Sequence, residues 1–561
     1  MQVTCRNHWC KQGFEITSED LAFYEKVSPV FGGKKELIPP PTLCPDCRQQ
    51  RRLAQVNQLN LYERKCDLTG SSIISNFHAD STYKVYRQAD WHSDKWDPLR
   101  YGRPFDFNRP FFEQFQELSL AVPRPSLFTG YEYDENSEYT NHAGKNKNCY
   151  LIFDSDENWD CYYSYSINHC TDCTDCFRVR KSQLCSECID CVSCYHSAYL
   201  QDCDNCSDSM FLKNCTGCTR CLMCSNLRNK EYFVENKQVS KESFEQFRSM
   251  LRAHSAVRSA MERFQALKLE YPQKFMHGVQ NENVLGDYLV QCKNVYRCFD
   301  SESAWDCRYL YQGFMPLKDC MDVQECGEGE LLYECCVCGY GLHSCAFCSH
   351  TLGKMDNLLY CTYSPHAKNC FGCIGARHRQ YCILNKQYTK EEYETLVPKI
   401  ITHMRKFKEY GEFFPIATST FGYNETLAQD YYLLTAEEAK RRGLAWYDNL
   451  PTSEQYMGPV VAIPDDIKDA EESICRSILR CESTQKPFKI IPQELKLCQR
   501  IAVPLPRKTF FQRHKERMAL RNPRKLWKRN CAKCKKEIQT TYAPERPEIV
   551  YCESCYLSAV Y

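Results

Sequence analysis

The chain has 561 residues, 41 of them cysteine, with 72 Lys and Arg against 71 Asp and Glu. At about 150 residues per domain this length predicts three or four domains. With 43% hydrophobic and 13% aromatic residues, the composition excludes a disordered chain, a metallothionein-like thiol coat and a bulk polyelectrolyte. No uncharged apolar run approaches the roughly 18 residues of a membrane span. The first twenty residues carry Arg6, Lys11, Glu15, Glu19 and Asp20 and no hydrophobic stretch, so no signal peptide is expected. In a cytoplasmic setting this many cysteines predict metal ligands or buried thiols, and their odd number excludes a closed all-disulfide framework.

Residues 1–62 read as an N-terminal zinc ribbon. Cys5 and Cys10 form an irregular knuckle and Cys44-x2-Cys47 a regular one; Cys10 or His8 completes the set, with Cys10 preferred. Residues 63–139 read as a connecting region, with a short helix near Phe111–Leu118 opened by Asn108 and Pro110. Residues 140–239 are the first Cys-rich block, and 240–282 a helical connector in which Phe244, Phe247, Met250 and Leu251 recur at helical spacing. Residues 283–388 are the second block. The segment 389–470 is a further helical connector, where Thr389–Glu392 forms a capping box and Pro398 should kink or divide the helix. There Thr435–Glu438 caps another helix that ends near Gly443. Residues 471–524 read as a degenerate ribbon followed by a basic segment, and 525–561 as the C-terminal zinc ribbon.

The two blocks repeat each other. Asn148-Cys-Tyr-Leu-Ile-Phe-Asp-Ser-Asp-Glu-Asn-Trp-Asp-Cys161 aligns with Asn294-Val-Tyr-Arg-Cys-Phe-Asp-Ser-Glu-Ser-Ala-Trp-Asp-Cys307, and Asn236-Lys-Gln with Asn385-Lys-Gln. This is an internal duplication. All fifteen cysteines from Cys149 to Cys224 are separated by multiples of three, with a further recurrence at fifteen. A helix would rotate such residues off one face. The expected fold class is therefore mainly β with α connectors: terminal zinc ribbons flank two tandem β-solenoid-like blocks. Each coil is expected to take fifteen residues, six coils from 140 to 229, with cysteines pointing inward. Asp or Asn before many of these cysteines (Asn148, Asp160, Asp172, Asp175, Asp190, Asp202, Asn205, Asn214) suits corners.

The chemistry gathers at the ends. Cys531-x2-Cys534 and Cys552-x2-Cys555, seventeen residues apart, have ribbon spacing for a closed, structural Zn2+ site, with two strands expected between them. A third candidate metal set is Cys335-x2-Cys338-x6-Cys345-x2-Cys348, flanked by Cys336, His343 and His350. The other block cysteines read as packed thiols. In the degenerate ribbon, Phe488-Lys-Ile490-x3-Glu494 parallels Phe14-Glu-Ile16-x3-Asp20, with Cys475 and Cys481 ahead of it. Pro504–Arg507 stands where the second Cys pair is expected.

Phe14, Asp20, Phe23, Tyr24, Pro41, Cys44, Pro45, Cys47 and Arg48 match the pattern of zinc-ribbon domains with a Pro-x2-Cys-Pro-x-Cys-Arg end. With KCDLTG at 65–70, SDKWDPLRYGRPFDFNRPFFEQF at 93–115 and TTYAPERPEIVYCESC at 540–555, nearly the whole chain resembles a family of Cys-rich zinc-ribbon proteins of candidate-phyla bacteria. The resemblance implies zinc binding and a bacterial cytosolic setting, and it brings no established reaction.

Charge is unevenly placed. Residues 500–536 hold fourteen Lys and Arg against Glu516, a net of +13, while 131–160 hold eight acids against Lys145 and Lys147, a net of −6. The basic segment predicts binding of nucleic acid or ribosome through Arg507, Lys508, Arg513, Arg517, Arg521, Arg524, Lys525, Trp527, Lys528 and Arg529. The alternative is a protein-interaction scaffold with purely structural zinc. No phosphate loop, His-x3-His pair or nucleophile–base arrangement points to an enzyme.

Overall fold

The computed structural model describes residues 1–313, 316–324, 329–330, 333–337, 342–343, 346–348, 353–451 and 456–560. The chain forms two compact units built from separated segments. One comprises Met1–Ser126, Met276–Asp448 and Arg524–Leu526, and the other Leu127–Phe275, Asn449–Pro523 and Trp527–Tyr561. Each unit thus joins a ribbon region from one end of the chain to one Cys-rich block. The fold is mainly β, with helices in the connectors.

The first block is one thirteen-stranded sheet in which only the last pairing is antiparallel. Each residue pairs with the one twelve positions on: Cys173 with Cys185, Ala198 with Met210, Leu212 with Cys224. Four such columns run the length of the block, through Lys147–Trp159, Tyr150–Tyr162, Tyr165–Phe177 and Asn168–Arg180. A rung is therefore four three-residue steps. The expected fifteen-residue period is wrong; the period is twelve, and residues 142–235 make about eight rungs rather than six.

The backbone explains the step of three. From His142 to Glu235 every third residue has positive φ, including all eight Asn and Asp positions expected at corners. Asn and Asp tolerate this left-handed conformation best among residues with a side chain. The residue after each corner points inward, and those positions form the core: Cys149, Ile152, Cys161, Ile167, Cys170 and so on to Cys224. Inward N–H groups need acceptors, and side chains supply them. Ser209 Oγ accepts from Cys221 N at 3.0 Å and donates to Ser207 O at 2.7 Å. Cys215 Sγ accepts from Leu227 N at 3.4 Å. Small residues with a polar tip satisfy both volume and hydrogen bonding.

Among the described residues the second block is a twelve-stranded sheet with the same rungs and more irregular spacing. Thirteen-residue steps occur at Ala304–Leu317, Gly329–Leu342 and Leu342–Met355. The register also shifts at Gly286, where a Cβ would lie 1.7 Å from Cys298 O, so only glycine fits there. Inward residues again include Cys298, Cys307, Cys320, Cys361 and Cys373.

The connectors follow their caps. The expected helix from Ser240 divides into Lys241–Met250 and His254–Glu270, with Ser240 Oγ accepting from Ser243 N. Thr389 and Thr435 form their capping boxes. Pro398 does not divide its helix, Lys390–Phe407; its carbonyl accepts from Thr402 Oγ1 at 2.9 Å. Phe111–Ala121 is helical with Pro110 as its N-cap.

The ladder makes a specific demand at Ser209. Ser209→Ala leaves the buried N–H of Cys221 without an acceptor and should cost about 1–3 kcal/mol in chemical denaturation. Ser209→Cys, which places there the residue used on neighbouring rungs, should cost clearly less. Equal costs would remove the side-chain acceptor from this account.

Candidate metal centres

Two sets of four cysteines converge. Cys5, Cys10, Cys44 and Cys47 form one, and Cys531, Cys534, Cys552 and Cys555 the other, each with all sulfurs within 4.8 Å of one another. The alternative left open by spacing is resolved: Cys10 takes the fourth place, and His8 instead lies edge-on to Trp9.

Both sets are built the same way. In the first, Gln2–Thr4 pairs antiparallel with Gly13–Glu15, and Cys5 N donates to Gln12 O. The second pair stands at the start of the helix Pro45–Leu53, whose N-cap is Cys44. In the second set, Trp527–Asn530 pairs with Glu537–Thr540, and Cys531 N donates to Lys536 O. Cys552 precedes the helix Glu553–Val560. The two strands expected between the Cys pairs exist, but they do not pair with each other. Val550–Tyr551 pairs in parallel with Gln273–Lys274 instead.

The distances suit a tetrahedral ion. Four sulfurs bound at about 2.3 Å stand about 3.8 Å apart. Cys10 and Cys44 are separated by 3.8 Å, and Cys534 and Cys552 by 3.7 Å. Backbone N–H groups hold the first sulfur in place: Cys44 N donates to Cys5 Sγ and Cys552 N to Cys531 Sγ, both at 3.3 Å. The thiols share protons unequally. A hydrogen bond from Cys47 brings Cys44 down to about 6 and drives Cys47 far up. At Cys531 burial pushes upward, yet the N–H groups of Cys534, Cys552 and Lys533 outweigh it and bring the thiol to about 6. A cation would replace these shared protons.

The same frame occurs twice more without the cysteines. Cys66 N donates to Ser71 O and Cys481 N to Lys486 O, each closing a hairpin, Tyr62–Lys65 with Ser72–Ser75 and Leu479–Arg480 with Pro487–Phe488. The left-handed residue ending each turn is Gly70 or Gln485, as it is Lys11 or Lys535 in the complete sites. The residue after the first cysteine donates to a carbonyl two residues before the helix cap in all four: Arg6 to Thr42, Asp67 to Val85, Glu482 to Arg507, Ala532 to Val550. The caps are Arg87 and Thr509, whose N–H groups reach Cys66 and Cys481 as those of Cys44 and Cys552 reach theirs. Thr69 and Thr484 stand at the second-ligand position, three residues beyond these cysteines as Cys534 is beyond Cys531. Sequence placed the missing pair of the degenerate ribbon at Pro504–Arg507; the structure places it at Thr509 and Gln512. Cys481, not Cys475, holds the first-ligand place. The frame at Cys66 was missed, because one cysteine in KCDLTG carries no spacing.

The block thiols are hydrogen-bonded within the ladder. Cys170 Sγ donates toward Asn168 O at 3.5 Å and Val179 O at 3.4 Å, and Cys185 Sγ toward Gln183 O and Cys194 O likewise. Burial pushes Cys176, Cys298 and Cys373 well above the ordinary thiol range, which keeps them protonated. Cys161, Cys185, Cys203 and Cys218 are exceptions: hydrogen bonds from neighbouring thiols pull them down against burial. Among the described residues only the two terminal sets meet the spacing for an ion. Of the third candidate set, Cys338 and Cys345 lie outside the described residues, while Cys335 and Cys348 are buried in the core of the second ladder.

Half of the fourteen basic side chains in 500–536 are turned away from solvent. Arg513 binds Asp175 and Glu494, Arg517 binds Asp175 and Glu187 at 2.9 Å each, and Arg521 binds Asp190 at 2.7 Å; all three arginines are largely buried. In the other unit Arg524 binds Asp300 at 2.7 Å. Arg507 meets Glu482, Lys508 meets Glu516, and Arg529 donates to Ala543 O and Glu548 O. Trp527 is half-buried; Lys525 and Lys528 are exposed.

The geometry makes two demands on metal content. Cys10→Ser should lose one ion per chain by native mass spectrometry, whereas His8→Ala should lose none. The combined change Thr484→Cys, Thr509→Cys and Gln512→Cys should add one ion, giving the empty frame a fourth sulfur beside Cys481; an unchanged count would show that the frame does not position its ligands. No family model, curated protein or solved structure matches this chain.

Proposed function

We propose that the chain is a zinc-stabilised, non-enzymatic scaffold in which two β-solenoids present rigid faces to a protein partner. The observation that carries this reading is the fate of the basic segment. Arg513, Arg517 and Arg521 end on ladder carboxylates, so they serve to dock the helix Phe510–Ala519 and the turn after it on the ladder rather than to collect phosphates. Zinc is the metal that four thiolates at tetrahedral spacing favour. A closed four-cysteine site offers no open position for substrate or water, which supports a structural role. The resemblance to Cys-rich zinc-ribbon proteins supports a bacterial cytosolic setting, and no helix among the described residues is long and apolar enough to cross a membrane.

A second reading keeps nucleic acid or ribosome as the partner but moves the contact. Lys528, Lys533, Lys535 and Lys536 are exposed on the C-terminal ribbon, and such a cluster suits phosphates.

Native mass spectrometry should find two zinc ions per chain; six or more would mean metal-clustered solenoids and would sink the thiol-packed scaffold. For the second reading, replacing the four lysines by alanine should reduce the salt slope of polynucleotide binding by about three. An intact, zinc-loaded chain that binds no polynucleotide at low salt removes that reading.

A further inference from the structure

Two tryptophans stand in solvent at matched rungs of the two ladders. Trp159 is 58% exposed and Trp305 44% exposed. Their surroundings are the same in kind. Lys147 pairs with Trp159 and Lys293 with Trp305 in parallel register. Lys147 bridges to Glu135 and Lys293 to Glu282, each at 2.9 Å. In the adjoining column Asn136 donates to Asn148 and Asn148 to Asp160, at 3.0 and 3.2 Å. Asn283 donates to Asn294 and Asn294 to Asp306 in the other copy, at 3.1 and 3.0 Å. One rung on, a helix cation closes the series: Arg500 on Asp172 at 2.8 Å, Lys26 on Asp319 at 2.9 Å.

Inward positions of the same rungs are partly shared, Ser155 with Ser301 and Cys161 with Cys307, and partly exchanged, Cys149 against Val295, Ile152 against Cys298 and Asn158 against Ala304. The solvent-facing Trp and its Lys, Glu and Asp neighbours are kept through that repacking. An exposed indole contributes little to folding, so its retention in both copies points to a ligand.

The chemistry of the face selects that ligand. Asp160 and Asp306 accept from an amide and, among the described residues, form no ion-pair contact within 4.0 Å, although Arg500 lies near the one and Lys293 near the other. The surrounding thirty-residue segments are acidic: 131–160 has a net charge of −6, and 277–306 has five acids against Lys293 and Arg297, a net of −3. A carboxylate beside an open indole face suits a guanidinium or ammonium, through cation–π attraction and a charge-assisted hydrogen bond. The same field repels polyphosphates.

We infer that the two faces are matching docking sites for an Arg- or Lys-bearing segment of a partner protein, two per chain. This deepens the scaffold reading and rests on it.

The test titrates the intact, zinc-loaded chain with a hexa-arginine peptide, following indole fluorescence and calorimetric stoichiometry. Two peptides should bind per chain. Trp159→Ala with Trp305→Ala should weaken binding about fivefold or more, and so should Asp160→Asn with Asp306→Asn, which keeps the amide column. Equal affinity in the wild-type chain and the chain lacking Trp159 and Trp305 overturns the inference, as does preference for hexa-glutamate or poly(dT) over hexa-arginine. Zinc content is read on the same samples. Two zinc ions without peptide binding overturns the docking sites alone, whereas zinc other than two per chain overturns the scaffold beneath them.

Discussion

The constraint on which both ladders depend is a recurring left-handed backbone, at every third residue in the first ladder and at less regular intervals in the second. For residues with a Cβ this conformation costs on the order of 1 kcal/mol each, and it is repeated through the whole block. Parallel pairing on all four sides of each rung offsets the cost. The inner space that remains is narrow, and the N–H groups pointing into it have no strand partner. Cysteine, serine and asparagine fit because they are small and offer an acceptor. The abundance of cysteine in the blocks is thus a packing and hydrogen-bonding answer to backbone geometry.

The duplication extends beyond the blocks. Arg48 and Arg52 both bind Asp322, and Arg513 and Arg517 both bind Asp175. Counted from the helix caps Cys44 and Thr509, the two arginine pairs occupy the same places, and the two aspartates lie 147 residues apart, between the offsets of 146 and 149 that align the two ends of the blocks. Arg51 binds Glu334 as Arg517 binds Glu187, again 147 apart. Each unit therefore carries the same ribbon helix clasped to the same rung by buried ion pairs. Removing one partner of such a pair typically costs about 3–5 kcal/mol. Each unit also carries two ribbon frames, of which one has four cysteines: the frame at Cys5 in one unit and the frame at Cys531 in the other.

Sequence made some of this legible and hid the rest for physical reasons. The Cys-x2-Cys knuckles were readable because metal ligands must be close along the chain. The step of three was readable because each inward residue follows a corner. The number of steps per rung was not, since cysteines twelve or fifteen residues apart both point inward and the recurrence at fifteen suggested the wrong period. The degenerate ribbon was legible on its Phe-x-Ile and acidic positions, but its second ligand pair was not. Threonine at 509 and glutamine at 512 look like any helix start once the sulfur is gone. Cys10 and His8 differ only in which one the turn at Lys11 brings to the other three.

Charge is where reading along the chain and reading in space diverge most. A net of +13 over 500–536 describes a phosphate-binding strip if its side chains face water. Here the arginines recur four residues apart, at 513, 517 and 521, and so line one side of the segment. That side meets Asp175, Glu187 and Asp190, acids that occupy corner positions of successive steps of the first ladder. The acids lie at corners because asparagine and aspartate tolerate left-handed backbone, and the arginines are long enough to reach them. The arginine series is therefore an interior contact with acids that lie outside the acidic stretch 131–160. What reaches solvent is the complement: lysines on the C-terminal ribbon, and on each ladder an aspartate hydrogen-bonded to an asparagine beside a tryptophan.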